Sequence, residues 1–189
     1  MIYLVRHGLD DEKYIGGWSD IDLIEEGIKQ VESIAKFINE NKLNINKIYS
    51  SDIKRTITTT NIINKYLNLD VEYSSKYREL DKGDLTGLLK DNYDLKNYNT
   101  NIDLKYPNGE SYLEFYERIR RLYYEDIINI DNVLIVTHRG VINMIYTIIN
   151  NDLLSLDKEK YGVTHASLHE LDIKNKKIKK IGDCYGNSK

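Results

Sequence analysis

Ile2-Tyr3-Leu4-Val5-Arg6-His7-Gly8 is an apolar run that stops abruptly in two basic residues and a glycine. A run of this kind reads as a buried strand passing into a loop. Val133-Leu134-Ile135-Val136-Thr137-His138-Arg139-Gly140 repeats the pattern far along the chain, and Val133 to Val136 is the clearest central strand. Each strand is followed by a helical pattern. Between Ile24 and Ile38, apolar residues recur as Ile28, Val31, Ile34 and Ala35, which predicts an amphipathic helix over Glu25–Glu40. Val141 to Ile149 predicts the helix after the second histidine.

Working outward, Lys47–Ser50 and Val71–Tyr73 are short β-prone segments. Between them a helix is expected to begin near Ser51 or Asp52, either of which could cap its free amides. Its buried face would carry Ile53, Ile57, Thr60 and Ile63. Ser111-Tyr112-Leu113-Glu114 has capping-box spacing and opens a helix whose apolar face is Tyr112, Phe115, Ile119, Leu122 and Tyr123. Leu168–Ile173 and Lys177–Ile181 predict a terminal hairpin. Strands alternating with helices imply a three-layer α/β/α sandwich with a mostly parallel central sheet and a C-terminal β-hairpin. Residues 1–189 are expected to form one domain, with an irregular lid-like excursion over about 82–108 that is rich in Asn, Asp and Tyr. Ligands of such sheets bind beyond the carboxyl ends of the strands, where both histidines fall.

Composition removes several classes of function. Net charge is −3, so bulk attraction to nucleic acid or anionic lipid is not expected. The lysines at 174, 176, 177, 179 and 180 are read as edge protection on the hairpin. No apolar run approaches the ~20 residues that a membrane helix needs. The first residues lack the pattern of a secretory signal. One cysteine, Cys184, permits no intramolecular disulfide and suits a reducing cytoplasm, which is the expected location. His165 and His169 have i,i+4 spacing, but they precede and enter a strand, so no metal is expected there. A P-loop and a cysteine-phosphatase loop are both absent from the sequence.

The chemistry-bearing residues suggest phosphate. If the sheet brings the loops together, His7, His138, Arg6 and Arg55 converge on one small space. Guanidiniums match phosphate oxygens with paired donors and stay charged. A neutral imidazole nitrogen can attack phosphorus, splitting one displacement into two easier ones.

Six ordered segments then carry a resemblance over nearly the whole length. They are Arg6-His7-Gly8, Leu23 to Gln30 with Gly27, Ser50 to Thr56, Tyr77 to Gly83, Pro107 to Ser111, and Val136 to Ile142. With them the chain resembles the histidine phosphatase superfamily, phosphoglycerate-mutase-like branch (branch 1). The resemblance implies that His7 is the nucleophile and that Arg6, Arg55 and His138 hold the phosphoryl oxygens. It implies Glu79 as the acid, with Asp10 the alternative, and neither metal nor organic cofactor. The partner would be a small phosphorylated substrate; the oligomeric state stays open. Leu9 and Asp10 depart from the family's usual residues, and the loop from there to Asp22 is shorter than its common pattern. Trp18, in that loop, either lines the substrate site or packs against the core. Arg139 replaces a frequent glycine and would add a cation at the pocket edge. The long insertions of cofactor-dependent phosphoglycerate mutases are missing, which favours hydrolysis of phosphomonoesters. The alternatives are a mutase, a protein phosphohistidine phosphatase, and a non-catalytic phospholigand-binding module.

Overall fold

A computed structural model describes residues 1–184 of the chain. The strands and helices follow in the order β1 (Ile2–Arg6), α1 (Glu25–Glu40), β2 (Lys47–Ser50), α2 (Lys54–Leu67) and β3 (Val71–Tyr73), then α3 (Tyr112–Glu125), β4 (Val133–Thr137), α4 (Arg139–Asn150), β5 (Leu168–Asp172) and β6 (Lys177–Gly182). They build one six-stranded sheet in the order β3-β2-β4-β1-β5-β6. The first four strands of that order are parallel, while β5 runs antiparallel to β1 and β6 to β5. The terminal hairpin therefore extends the main sheet instead of standing apart from it.

Side chains that alternate along each strand explain the three layers. Ile2, Leu4, Val133 and Ile135 face a core shared with Phe115 and Ile119 of α3 and with Val141, Ile142 and Ile145 of α4. Tyr3, Val5, Leu134 and Val136 face the opposite core, with Val31, Ile34 and Ile38 of α1 and Ile62 and Ile63 of α2. Both β1 and β4 are buried along their whole length, as their unbroken apolar sequences require. Each fully buried aliphatic side chain contributes about 1.5–3 kcal/mol relative to exposure.

The chain winds from β1 outward through β2 to β3, then returns to insert β4 between β2 and β1. The strand order reverses at β4 and β1, which makes their carboxyl ends the switch point where a crevice opens. Arg6 pairs with Thr137 in that parallel register, so the residues that follow, His7 and His138, leave the sheet side by side.

The capping box at Ser111 forms as the spacing predicts: Glu114 N–H donates to the Ser111 hydroxyl, and Ser111 N–H donates to the Glu114 carboxylate. The start of α2 differs from expectation. Ile53 is its N-cap, and no side chain caps it. Both expected caps are engaged elsewhere: the Ser51 hydroxyl contacts His138, and Asp52 takes a paired hydrogen bond from Arg78 at 2.6 and 2.7 Å. Those charged and buried partners outweigh a solvent-exposed cap. Among the described residues, no helix is long and apolar enough to cross a membrane.

Candidate active site

His7 stands one residue past β1, and its backbone N–H donates to Thr137 O at 3.0 Å. The imidazole is buried, and its Nδ1 lies 2.7 Å from Gly8 O. A carbonyl only accepts, so this contact puts the proton on Nδ1 and leaves Nε2 unprotonated. Arg55 Nε donates towards that same Nε2 at 3.3 Å, which agrees with the tautomer. Burial and then the Arg55 charge hold the imidazole pKa well below its usual value, so His7 is neutral at physiological pH. These are the properties of a nitrogen nucleophile.

The loop that follows His7 is clamped onto α1. Leu9 N–H donates to Gln30 Oε1 at 3.0 Å, and Ile24 N–H donates to Leu9 O at 3.0 Å. A Cβ on Gly27 would come within 2.0 Å of Leu9 O, so only glycine admits the loop this closely. The Gly27 and Gln30 positions thus have a direct physical purpose: they fix the backbone beside His7.

Arg55, in the first turn of α2, is only 2% exposed. Its Nη2 donates to Gly17 O at 2.7 Å, its Nη1 reaches Ser19 at 3.3 Å, and Asp10 lies 3.6 Å from its Nε. Arg6 is also buried, with Nη1 donating to Val163 O at 2.9 Å and Nη2 lying 2.5 Å from His165 Nε2. Burial, followed by the charge of Arg139, pushes the Arg6 pKa down to about 10, so it remains a cation at neutral pH. An arginine can only donate, so His165 must accept at Nε2. Burial, and then Arg6, push the His165 pKa down to about 3 in keeping with that role.

His138 lies behind these groups, with no exposed surface and its ring centroid 5.2 Å from that of His7. Its Nδ1 accepts from Arg55 Nη2 at 3.2 Å, and its Nε2 meets the Ser51 hydroxyl at 2.9 Å. It does not belong to the cavity wall, and both nitrogens are engaged. The structure connects His138 to the site through Arg55. Burial, then Arg55, keep it neutral.

Glu79 reaches the same cavity from the segment after β3. Its carboxylate oxygens accept Gly140 N–H at 3.0 Å and Leu80 N–H at 2.9 Å. The first of these amides belongs to the opening turn of α4. This helix starts at Arg139, two residues earlier than its apolar periodicity suggests, so Gly140 lies in its first turn, where amides have no acceptor within the helix. The backbone around Glu79 is held by Arg118, which donates to Arg78 O and Glu79 O at 3.1–3.2 Å while pairing with Glu110 at 2.7 Å.

A cavity of about 320 Å³ opens over His7, walled by Arg6, Arg55, Glu79 and Asp10 together with side chains of the 82–108 excursion such as Tyr98 and Tyr106. Arg139 is on its wall, donating to Glu159 at 2.6 Å. Trp18 is not on it: its indole donates to Glu79 O at 2.7 Å, and Arg78 stacks 4.6 Å from the ring centroid. Ser51, Gly140, Arg118 and His165 escaped sequence reasoning, because each acts on a residue remote in the chain.

Residues 2–182 match the family described as the histidine phosphatase superfamily (branch 1). The chain belongs to that superfamily. It is 29% identical over 202 residues to the 2,3-bisphosphoglycerate-dependent phosphoglycerate mutase 2 of Bacteroides thetaiotaomicron, covering 82% of each chain. Among solved structures, a putative alpha-ribazole-5'-P phosphatase from Escherichia coli K-12 superposes with a TM-score of 0.77 at 18% identity, over 99% of this chain and 95% of that one. A mycobacterial glucosyl-3-phosphoglycerate phosphatase gives 0.73 at 22% identity, over 90% and 89%. Relatives described as mutases and structural neighbours described as phosphatases thus surround this member of the superfamily.

Proposed function

We propose that the protein is a phosphatase that hydrolyses small-molecule phosphomonoesters through a phosphohistidine on His7, acting in the cytoplasm as a single domain. The observation that carries this reading is the fixed tautomer of His7, with Nδ1–H held by Gly8 O and a neutral Nε2 lone pair beside Arg55. In the first step Nε2 attacks phosphorus, the N–P bond forms, and the bond to the substrate oxygen breaks. Glu79 gives the departing alkoxide a proton. In the second step Glu79 takes a proton from water, whose oxygen attacks phosphorus and releases inorganic phosphate and free His7. Each such proton transfer contributes roughly 10²–10⁴ in rate.

Arg6 and Arg55 neutralise the equatorial oxygens, so in this reading guanidiniums rather than a metal carry the transition-state charge. His138 serves as a positioning residue that holds Arg55. Protein labelled with a phosphoester and then quenched should retain acid-labile, alkali-stable phosphate, and His7→Ala should retain none. Equal labelling of both proteins would refute the assignment.

The 29% identity to a phosphoglycerate mutase favours one second reading, transfer of the phosphate back to another hydroxyl. Exchange between 2- and 3-phosphoglycerate with little free phosphate would establish that reading in place of hydrolysis.

A further inference from the structure

The charge of the cavity opposes that of the chain. Arg6, Arg55, Arg139, Lys82, Lys90 and Lys158 line it against only three carboxylates, Asp10, Glu12 and Glu79, whereas the whole chain carries −3. The scissile phosphate is answered by Arg6 and Arg55 beside His7. Arg139 is committed to Glu159. The three lysines remain, and among the described residues none has a carboxylate within ion-pair distance.

Each of these lysines is anchored, Lys82 and Lys90 partly buried and Lys158 exposed but tethered. The Lys82 stem lies over the backbone of Gly17, whose added Cβ would stand 3.2 Å from Lys82 Cγ. Lys158 is held at both ends: its carbonyl accepts from the buried Asn143 amide of α4 at 3.0 Å, and its ammonium donates to Asn99 at 2.9 Å. Asn99 follows Tyr98, which stacks on Tyr106 with centroids 4.1 Å apart. Lys90 is anchored by its N–H to Lys13 O at 2.9 Å. The 82–108 excursion and the segment after α4 thus bring like charges to one cavity, at a Coulombic cost that an anion of the substrate would offset. Burial, and then Lys158, push the Lys82 pKa down to about 8, which still leaves it cationic at pH 7.

We propose that Lys82, Lys158 and Lys90 form a second anion site in this cavity, which receives a carboxylate or a second phosphate on the organic part of the substrate. The substrate class is then a phosphomonoester with a second acidic group, as opposed to a neutral alkyl or sugar ester. This inference rests on the reading of the same cavity as a phosphatase site.

Two matched pairs test it: 3-phosphoglycerate against glycerol 3-phosphate for a carboxylate, and fructose 1,6-bisphosphate against fructose 6-phosphate for a phosphate. The wild type should prefer the doubly acidic member of at least one pair by about tenfold or more in kcat/KM. The pair that shows the preference identifies the acid. In Lys82→Gln/Lys158→Gln that ratio should collapse to about threefold or less. Equal use of both members in both pairs, or a ratio that survives the double substitution, would overturn the site. If no ester is hydrolysed, the phosphatase reading fails separately. Calorimetric binding of the same pairs to His7→Ala then decides the subsite: a tenfold tighter doubly acidic member supports it, and equal affinities refute it.

Discussion

Gly140→Ala presses most closely on the acid. A Cβ at this position would stand 2.1 Å from Glu79 Oε1 and 2.9 Å from Phe115 Cε1. Restoring an ordinary contact of 3.4 Å requires the carboxylate to retreat by about 1.3 Å. It would also loosen the 3.0 Å hydrogen bond from Gly140 N–H. A misplacement of about 1 Å at a reacting group can cost ~10²-fold in rate, and complete loss of a general acid ~10²–10⁴.

Stability should respond differently. Alanine in a helix is favoured over glycine by up to about 1 kcal/mol, which offsets part of the cost of shifting the Glu79 carboxylate and, by a few tenths of an ångström, the buried Phe115 ring. The expected outcome is a protein that melts within a few degrees of wild type but releases phosphate from alkyl esters about 10²-fold more slowly. Aryl phosphates, whose leaving groups need less protonation, should suffer less. Glu79→Gln should show the same asymmetry. Wild-type kcat on alkyl phosphates in Gly140→Ala would falsify the assignment of Glu79 as the acid in this position. Equal losses on alkyl and aryl esters would move the role elsewhere, first to Asp10.

Three other outcomes follow from the packing. Ser51→Ala leaves His138 Nε2 buried without its 2.9 Å partner, and should cost about 1–3 kcal/mol in urea unfolding; an unchanged midpoint would show that the contact contributes nothing. Arg118→Met releases the carbonyls of Arg78 and Glu79; kcat on alkyl esters should fall about tenfold or more with a smaller change on aryl esters, and a uniform loss across both would mark a merely structural role. His169 is buried in β5 between the Tyr146 hydroxyl and the Ser167 hydroxyl, each at 2.9 Å, and burial, then Lys180, depress its pKa to about 3. The unfolded chain therefore binds the proton first on acidification: the stabilising contribution is complete above about pH 6.5 and drains away as pH falls towards 3. Within that window His169→Gln should make stability less steep by up to about 1.4 kcal/mol per pH unit, and identical slopes for both proteins would contradict the burial argument.

Periodicity located most elements because the faces they bury are repetitive. The reading of α1 as Glu25–Glu40 coincides with the observed helix, and β2 and β3 coincide with their predicted ranges. It failed where a polar side chain had two possible partners. Ser51 and Asp52 look like helix caps in sequence, yet His138 and Arg78, distant in the chain, take them. Trp18 could equally have faced substrate or protein, and only its indole bond to Glu79 O settles its position outside the cavity wall.

By itself, the sequence determined that two apolar strands end in histidines and that helices follow them, since local pattern fixes such elements. It also supplied the six ordered segments by which the family was recognisable. Tertiary structure alone decided what those histidines became. The Arg6–Thr137 register set His7 and His138 side by side, Gly8 O fixed which nitrogen of His7 is unprotonated, and packing placed the Gly140 amide of α4 against Glu79. It also brought Lys158 to the same cavity as Lys82 and Lys90. Charges on segments so far apart in sequence act on one another only once folding has brought them round a common space.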